Sequence, residues 1–201
     1  MLNIVREYAR KTYNSSDIHG YPHIERVYNL CLQIAKDLNV NIETLKIAAL
    51  LHDIGRFKQL DNNSKRNHAE VSAYIAEKFL NSKNFKVYKF DIKNILYCIR
   101  THSFSNDILP ITLEAKILSD ADKLDAIGAI GLYRTIGYTI QKLGNLNNVI
   151  NHLENKILKI KDLLFLDISK KIAEDRHKIV IDFYEEIKEE ISFKSFDNNE
   201  P

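Results

Sequence analysis

An all-α fold follows from three features of the sequence. Six glycines and three prolines are spread over 201 residues, which leaves few places for tight turns. No Asn-Gly or Asp-Gly pair occurs between alternating segments, so the usual hairpin signal is missing. Apolar residues instead recur at steps of three and four, as in Val27, Leu30, Cys31, Ile34, Ala35 and Leu38, which mark one buried helical face.

Each element has its own justification. Residues 1–14 read as a short amphipathic helix. Ser15-Ser16-Asp17 offers polar capping chemistry before a second helix beginning near Pro22, a residue tolerated in a first turn. Asn41 caps a third helix, 42–53, which Gly55 terminates. The polar stretch 55–67 reads as a loop. Val71, Ala73, Ile75, Ala76, Phe79 and Leu80 define the inward side of a helix over 68–81. A fifth helix covers about 88–101, and a loop over 103–110 leads to a sixth at 112–125. Gly128 and Gly131 interrupt but need not break a seventh at 127–143. Charged helices over 147–163 and 168–191 follow, and the tail from Ser195 frays. With neither repeat nor linker, the expectation is a single domain over 1–201.

Composition narrows the function. At 45% apolar residues a sizeable core can be buried, and 28% charged residues supply an ordinary surface. A net charge of +2 is too balanced to argue for a stable nucleic-acid partner. Cys31 and Cys98 lie in apolar helical patterns and form no disulfide framework, which suits a reducing, cytoplasmic setting. Arg6 and Glu7 come too early for the apolar region of a signal peptide. No apolar run approaches the roughly 18 residues that span a bilayer, so no membrane partner is expected.

The chemistry concentrates at helix ends. "AALLHDIGR" carries four apolar residues into His52-Asp53. Adjacent helical residues do not share a face, but both can converge on a point beyond the helix end. A cation there gains from the negative end of the helix dipole, and imidazole and carboxylate are good ligands for it. The same pair also serves as a helix cap or a surface ion pair, and the dipeptide alone leaves these readings open. "HGYPHIERV" puts His23 at the start of a helix. "EAKILSDADKLDAIGAIG" puts Asp120, Asp122 and Asp125 at the end of another. Buried aspartates need a cation, backbone donors or solvent.

Taken together, these segments resemble the HD superfamily of metal-dependent phosphohydrolases, in particular a subgroup of small bacterial and archaeal members. "HIERV", "AALLHDIG", "HAEVSAYIAEKFL", "IRTHSFS" and "EAKILSDADKLDAIGAIGLYRTI" carry the resemblance over about residues 17–140. It implies an HD-type helical core with additional C-terminal helices at about 147–193. It also implies that His23, His52, Asp53 and Asp122 bind one divalent metal, whether Mn, Fe, Zn, Co or Ni. His68 and His102 either bind a second ion, with Asp53 bridging the two, or contact substrate phosphate. His19, His152 and His177 read as structural or exposed.

Asp53 would also orient an attacking water, and Asp125 would orient a ligand or the Lys123 ammonium. Arg26, Arg56, Lys58 and Lys123 are the candidate substrate-binding cations, with Lys65 and Arg66 nearby, because guanidinium and ammonium groups suit phosphate. Three positions after Asp53 stands Arg56, where some relatives carry an acid, so their mechanism does not transfer unchanged. The activity the resemblance implies is hydrolysis of a phosphoester or phosphoanhydride by metal-activated water, on a small phosphorylated substrate such as a nucleotide, with a nucleoside triphosphate favoured by analogy with related small members. The alternative is a regulatory HD module that binds nucleotide or metal without turnover. A purely structural helical protein is a third reading. Gly128, Gly131, Tyr133 and Tyr138 belong to a pocket rim, a homodimer contact or plain helix packing.

Overall fold

The computed structural model describes residues 2–56, 67–82, 91–103, 106 and 108–196, with side chains to residue 192. Its elements are α1 (Leu2–Thr12), α2 (Tyr21–Ala35), α3 (Ile42–Leu51), α4 (His68–Ser82), α5 (Ile92–Thr101), α6 (Leu113–Asp125), α7 (Gly128–Gln141), α8 (Leu146–Asn155), a 3-10 helix (Ile157–Leu163) and α9 (Asp167–Phe196). Among the described residues there is no strand, so the all-α expectation is met. No described helix is long and apolar enough to cross a membrane. The chain divides into two compact units, Met1–Asp122 and Lys123–Pro201.

The first unit is built around α3. Leu45, Ile47, Ala48, Ala49, Leu50 and Leu51 are all buried, so the C-terminal part of this helix is apolar on every side. It packs against α1, α2, α4 and α5. The Asn41 side chain caps it by accepting from the Thr44 amide at 3.0 Å, as the sequence predicts. At the other end α3 stops at Leu51, with His52 in the C-cap position. Burial on all sides explains how an otherwise unremarkable ten-residue helix can present His52 and Asp53 to the interior.

Two glycines act by allowing close approach. Gly20, not a side chain of Ser15-Ser16-Asp17, occupies the N-cap of α2. Its amide donates to the Ser16 carbonyl at 2.7 Å, and a Cβ there would meet the carbonyl oxygens of Asn14 and Ser16. Gly55 follows the doublet, but among the described residues only Gly128 and Leu143 have positive φ. Its task is therefore not a left-handed helix stop. Its amide donates to Ser72 Oγ at 2.9 Å, and a Cβ would lie 2.5 Å from the Ser72 nitrogen and 2.8 Å from the Val71 carbonyl carbon. The missing side chain thus lets the first turns of α4 press on the turn after Asp53.

Other boundaries differ from the sequence reading for local reasons. α5 starts at Ile92 because Asp91 is extended and its carboxylate accepts from the amides of Lys93 and Asn94. In the second unit α8 is opened by a reciprocal cap between Asn145 and Asn148. The helix expected over 147–163 breaks at Lys156, whose φ of −134° and ψ of −60° leave the helical region, and a 3-10 helix continues. Ile157 and Ile160, three apart, match that tighter repeat and are both buried.

Gly55→Ala is expected to cost about 1–3 kcal/mol, the usual range for overpacking against an atom that cannot easily yield. Urea unfolding followed by circular dichroism measures this. An unchanged midpoint would show that α4 does not depend on the close approach.

Candidate metal centre

Six residues that the sequence singled out meet inside the first unit. His23 comes from the first turn of α2, His52 and Asp53 from the end of α3, and His68 from the start of α4. His102 caps the end of α5, and Asp122 lies near the end of α6. His23, His52, Asp53 and His102 are essentially excluded from solvent. The ligand atoms of His23, His52 and Asp53 lie within 4.8 Å of one another, and so do those of Asp53, His68 and His102. These five residues therefore form a potential metal site in which Asp53 is common to both groups.

Each Asp53 oxygen faces a different side. Oδ2 is 3.9 Å from His23 Nε2. His23 Nε2 is in turn 3.4 Å from Asp122 Oδ1 and 3.4 Å from His52 Nε2, and His52 Nε2 lies 4.0 Å from Asp122 Oδ1. Oδ1 is 3.5 Å from His68 Nε2 and 3.4 Å from His102 Nε2.

The two C-cap histidines are oriented by the same device. His52 Nδ1 lies 2.8 Å from the Ala49 carbonyl, and His102 Nδ1 lies 2.6 Å from the Ile99 carbonyl. A carbonyl oxygen only accepts, so Nδ1 carries the proton and Nε2 turns its lone pair inward. Such a backbone hydrogen bond is the usual way a ligating imidazole is held in orientation. Both rings fold back over a helix end, where the dipole favours positive charge.

This arrangement leaves buried acceptors facing each other. Asp53 Oδ1 and His102 Nε2 have no hydrogen-bond partner, although they are close together. A buried carboxylate oxygen and an imidazole lone pair, both unsatisfied, are costly unless a cation lies between them. The residues present thus fit a divalent ion.

Electrostatics agree. Burial lowers the His52 pKa to about 4, with opposing help from Asp53 too small to restore it. Burial and the nearby Arg56 guanidinium likewise take His68 to about 4. Burial works to raise the Asp53 carboxyl, but the Arg56 guanidinium opposes it and the carboxyl is held well below the usual range. Asp122 is also held low, chiefly by His23 against the effect of burial. Neutral imidazoles at His52 and His68 beside an ionised Asp53 are the protonation states that bind metal.

The remaining candidates are placed differently. Arg56 donates through Nε to Asp53 Oδ2 at 2.6 Å and through Nη2 to His68 Nε2 at 3.1 Å, so it belongs to the cluster. Arg26 Nη2 donates to the Asp17 carbonyl at 3.0 Å. In the second unit Asp125 Oδ2 accepts from the buried Arg134 Nη1 at 2.8 Å. The Lys123 ammonium stands 5.0 Å from the Phe165 ring centroid. Lys58, Lys65 and Arg66 lie outside the described residues.

Two contributors escaped the sequence reading. The Tyr13 hydroxyl, just beyond α1, accepts from the Asp53 amide at 3.2 Å and fixes the backbone of the doublet. Burial, then the Asp53 charge, pushes its pKa well up, so it stays protonated. Ser72 anchors Gly55. Tyr13 precedes every motif quoted above and Ser72 stands unmarked inside "HAEVSAYIAEKFL", and both depend on contacts between distant segments.

An all-helical protein with a buried His/Asp cluster suited to a cation is the class defined by these features. The chain belongs to the HD domain family, whose model matches residues 20–127. It is 27% identical over 186 residues to YpgQ of Bacillus subtilis (strain 168), covering 89% of this chain and 87% of YpgQ. A crystal structure of Bacillus subtilis YpgQ in complex with ADP matches with a TM-score of 0.74 at 26% identity, over 95% of this chain and 98% of that one. An HD-superfamily hydrolase from Bacillus thuringiensis matches with a TM-score of 0.71 at 25% identity, over 95% and 96% of the two chains. Ribonuclease Y of Finegoldia magna is 26% identical over 174 residues, covering 76% of this chain but 31% of that enzyme. The fold is therefore that of an HD-superfamily hydrolase.

The metal-free protein should lose stability as the pH falls from about 6.5 to about 4. His52 and His68 have folded pKa values below the unfolded value, so the unfolded chain binds more protons in that window and stability rises with pH across it. Unfolding midpoints in urea with chelator present, taken at several pH values, test this. A flat profile through that window would show the imidazoles to be solvated in the folded state.

Proposed function

We propose that the protein is a metal-dependent phosphohydrolase acting on a nucleotide phosphate, with a nucleoside triphosphate as the favoured substrate. The observation that carries the reading is the pair of unsatisfied buried acceptors, Asp53 Oδ1 and His102 Nε2, within a ring of four histidines. The ADP held by YpgQ supports the nucleotide part, since that protein matches nearly the whole chain. The whole chain, 1–201, is proposed to act as one domain, and as a cytoplasmic enzyme without a stable nucleic-acid partner.

His23, His52, Asp53 and Asp122 would hold the metal, and His68 and His102 would either hold a second ion or meet phosphate. When bound, a divalent transition metal (Mn, Fe, Zn, Co or Ni) supplies a water of lowered pKa and neutralises phosphate oxygens. The chain's own residues do the positioning. Asp53, whose amide is pinned by Tyr13 and whose carboxylate is held ionised, orients the attacking water through an oxygen. His52 and His102 keep their inward nitrogens fixed by donating to backbone carbonyls, so no rearrangement is needed when charge develops. Arg56 commits two of its five N–H donors to Asp53 and His68, which leaves three to contact a phosphate arriving at the cluster. Arg26, Lys58 and Lys123 are the further substrate contacts of this reading, and Asp125 supports the second unit's end of α6 through Arg134.

His52→Ala and Asp53→Ala are each expected to lose bound metal and to lower phosphate or pyrophosphate release from nucleotides by at least about 10²-fold. Elemental mass spectrometry and a nucleotide panel assayed with added Mn provide the readouts. Metal retained in the native protein without turnover on any nucleotide would favour the binding-only module. No metal under any loading condition would remove the hydrolase reading.

A further inference from the structure

The Tyr13 hydroxyl uses only half of its hydrogen-bonding capacity. The residue is 6% exposed, and its amide donates to the Ala9 carbonyl at 2.9 Å, so the end of α1 fixes where the ring starts. At the far end of that ring the oxygen accepts from the Asp53 amide at 3.2 Å. An amide nitrogen only donates, so the phenolic hydrogen is not consumed there. Among the described residues it has no acceptor. A buried phenol ordinarily spends this hydrogen on a partner.

The charges around the hydroxyl say what kind of partner fits. Both Asp53 and Arg56 act electrostatically on the phenol, and Arg56 in turn feels it, so the hydroxyl belongs to the neighbourhood of the guanidinium. The Arg56 side chain is 29% exposed and keeps three N–H donors beyond those given to Asp53 and His68. Elsewhere in the cluster the unpartnered atoms are acceptors, Asp53 Oδ1 and His102 Nε2, which suit a cation. Here the unspent groups are donors beside a fixed positive charge, which suit an oxyanion.

We propose that Tyr13 is a substrate-binding residue, which donates its phenolic hydrogen to a phosphate oxygen of the substrate that also engages Arg56. The proposal rests on the phosphohydrolase reading above and adds to it a contact from outside the family-matched stretch. The hydroxyl then stands in a chain that runs from the Asp53 amide through the phenol to the phosphate. Each hydrogen bond in such a chain polarises the next, so the arriving phosphate also tightens the hold on the Asp53 backbone.

The test uses the full chain loaded with Mn and inorganic pyrophosphate as the probe. Tyr13→Phe keeps the ring and removes one oxygen. At saturating Mn, its affinity for pyrophosphate by calorimetry should fall by about 10-fold or more, the loss expected for one hydrogen bond to a charged group. Loss of the Asp53 amide's acceptor alone would instead weaken Mn binding or lower the unfolding midpoint, and leave pyrophosphate affinity at the loaded site unchanged. The second readout is the tyrosine ring doublet in the Raman spectrum, whose intensity ratio separates a phenol that only accepts from one that also donates. Pyrophosphate should move one of the ten tyrosines towards donation in the native protein and none in Tyr13→Phe. Unchanged pyrophosphate affinity on folded, loaded Tyr13→Phe would overturn the inference, and so would an unmoved doublet in the native protein. Should the variant not fold, as checked by circular dichroism, the native doublet decides alone. Failure of the native protein to bind Mn or pyrophosphate would bring down the phosphohydrolase reading itself, and the inference with it.

Discussion

A carboxylate with no exposure to solvent has to be surrounded by positive charge or donors, and Asp53 sets that requirement for the whole first unit. Its amide goes to Tyr13, one oxygen to Arg56, and the other faces two imidazoles. Each partner comes from a different segment, so the segments must pack for the carboxylate to be tolerated. The apolar C-terminal part of α3 supplies the driving force, since burying it on every side brings α1, α2, α4 and α5 around one helix end. Stability and site geometry are thus set by the same packing.

The duplicated histidine device has a further implication. α3 and α5 both end in an imidazole that closes onto the carbonyl three residues earlier. That satisfies a terminal carbonyl that would otherwise lack a partner, so the residue that caps the helix is also the one that offers a nitrogen to the centre. The two readings of a histidine at a helix end, cap or ligand, are therefore compatible: Nδ1 performs one role and Nε2 the other.

Much of this was legible in the sequence because ionisable residues at the ends of apolar helices violate the local pattern. His23, His52, Asp53, His68, His102 and Asp122 all stand out in that way, and the structure brings them together. The all-helical class was legible for the complementary reason, that little in the chain interrupts a three-to-four repeat. The break at Lys156 was hidden because Leu153, Ile157, Ile160 and Leu164 keep helical spacing across it. The ion pair of Asp125 with Arg134 links residues nine apart, a spacing that no local pattern announces. Tyr13 and Ser72 act across 40 and 17 residues, and no local pattern encodes such approaches.

The Tyr13 contact also changes where the functional unit begins. The family match starts at residue 20, yet the hydroxyl that receives the Asp53 amide comes from the segment before it. α1 is further tied in by Tyr8, which stacks on Phe79 of α4 at 3.8 Å between ring centroids. A fragment trimmed to the family boundaries would keep every histidine and aspartate of the cluster while leaving a buried peptide group without its acceptor. The motif-bearing stretch and the cooperative unit are therefore different lengths of chain, and grafting the former into another protein would transfer the ligands without the support that holds their backbone.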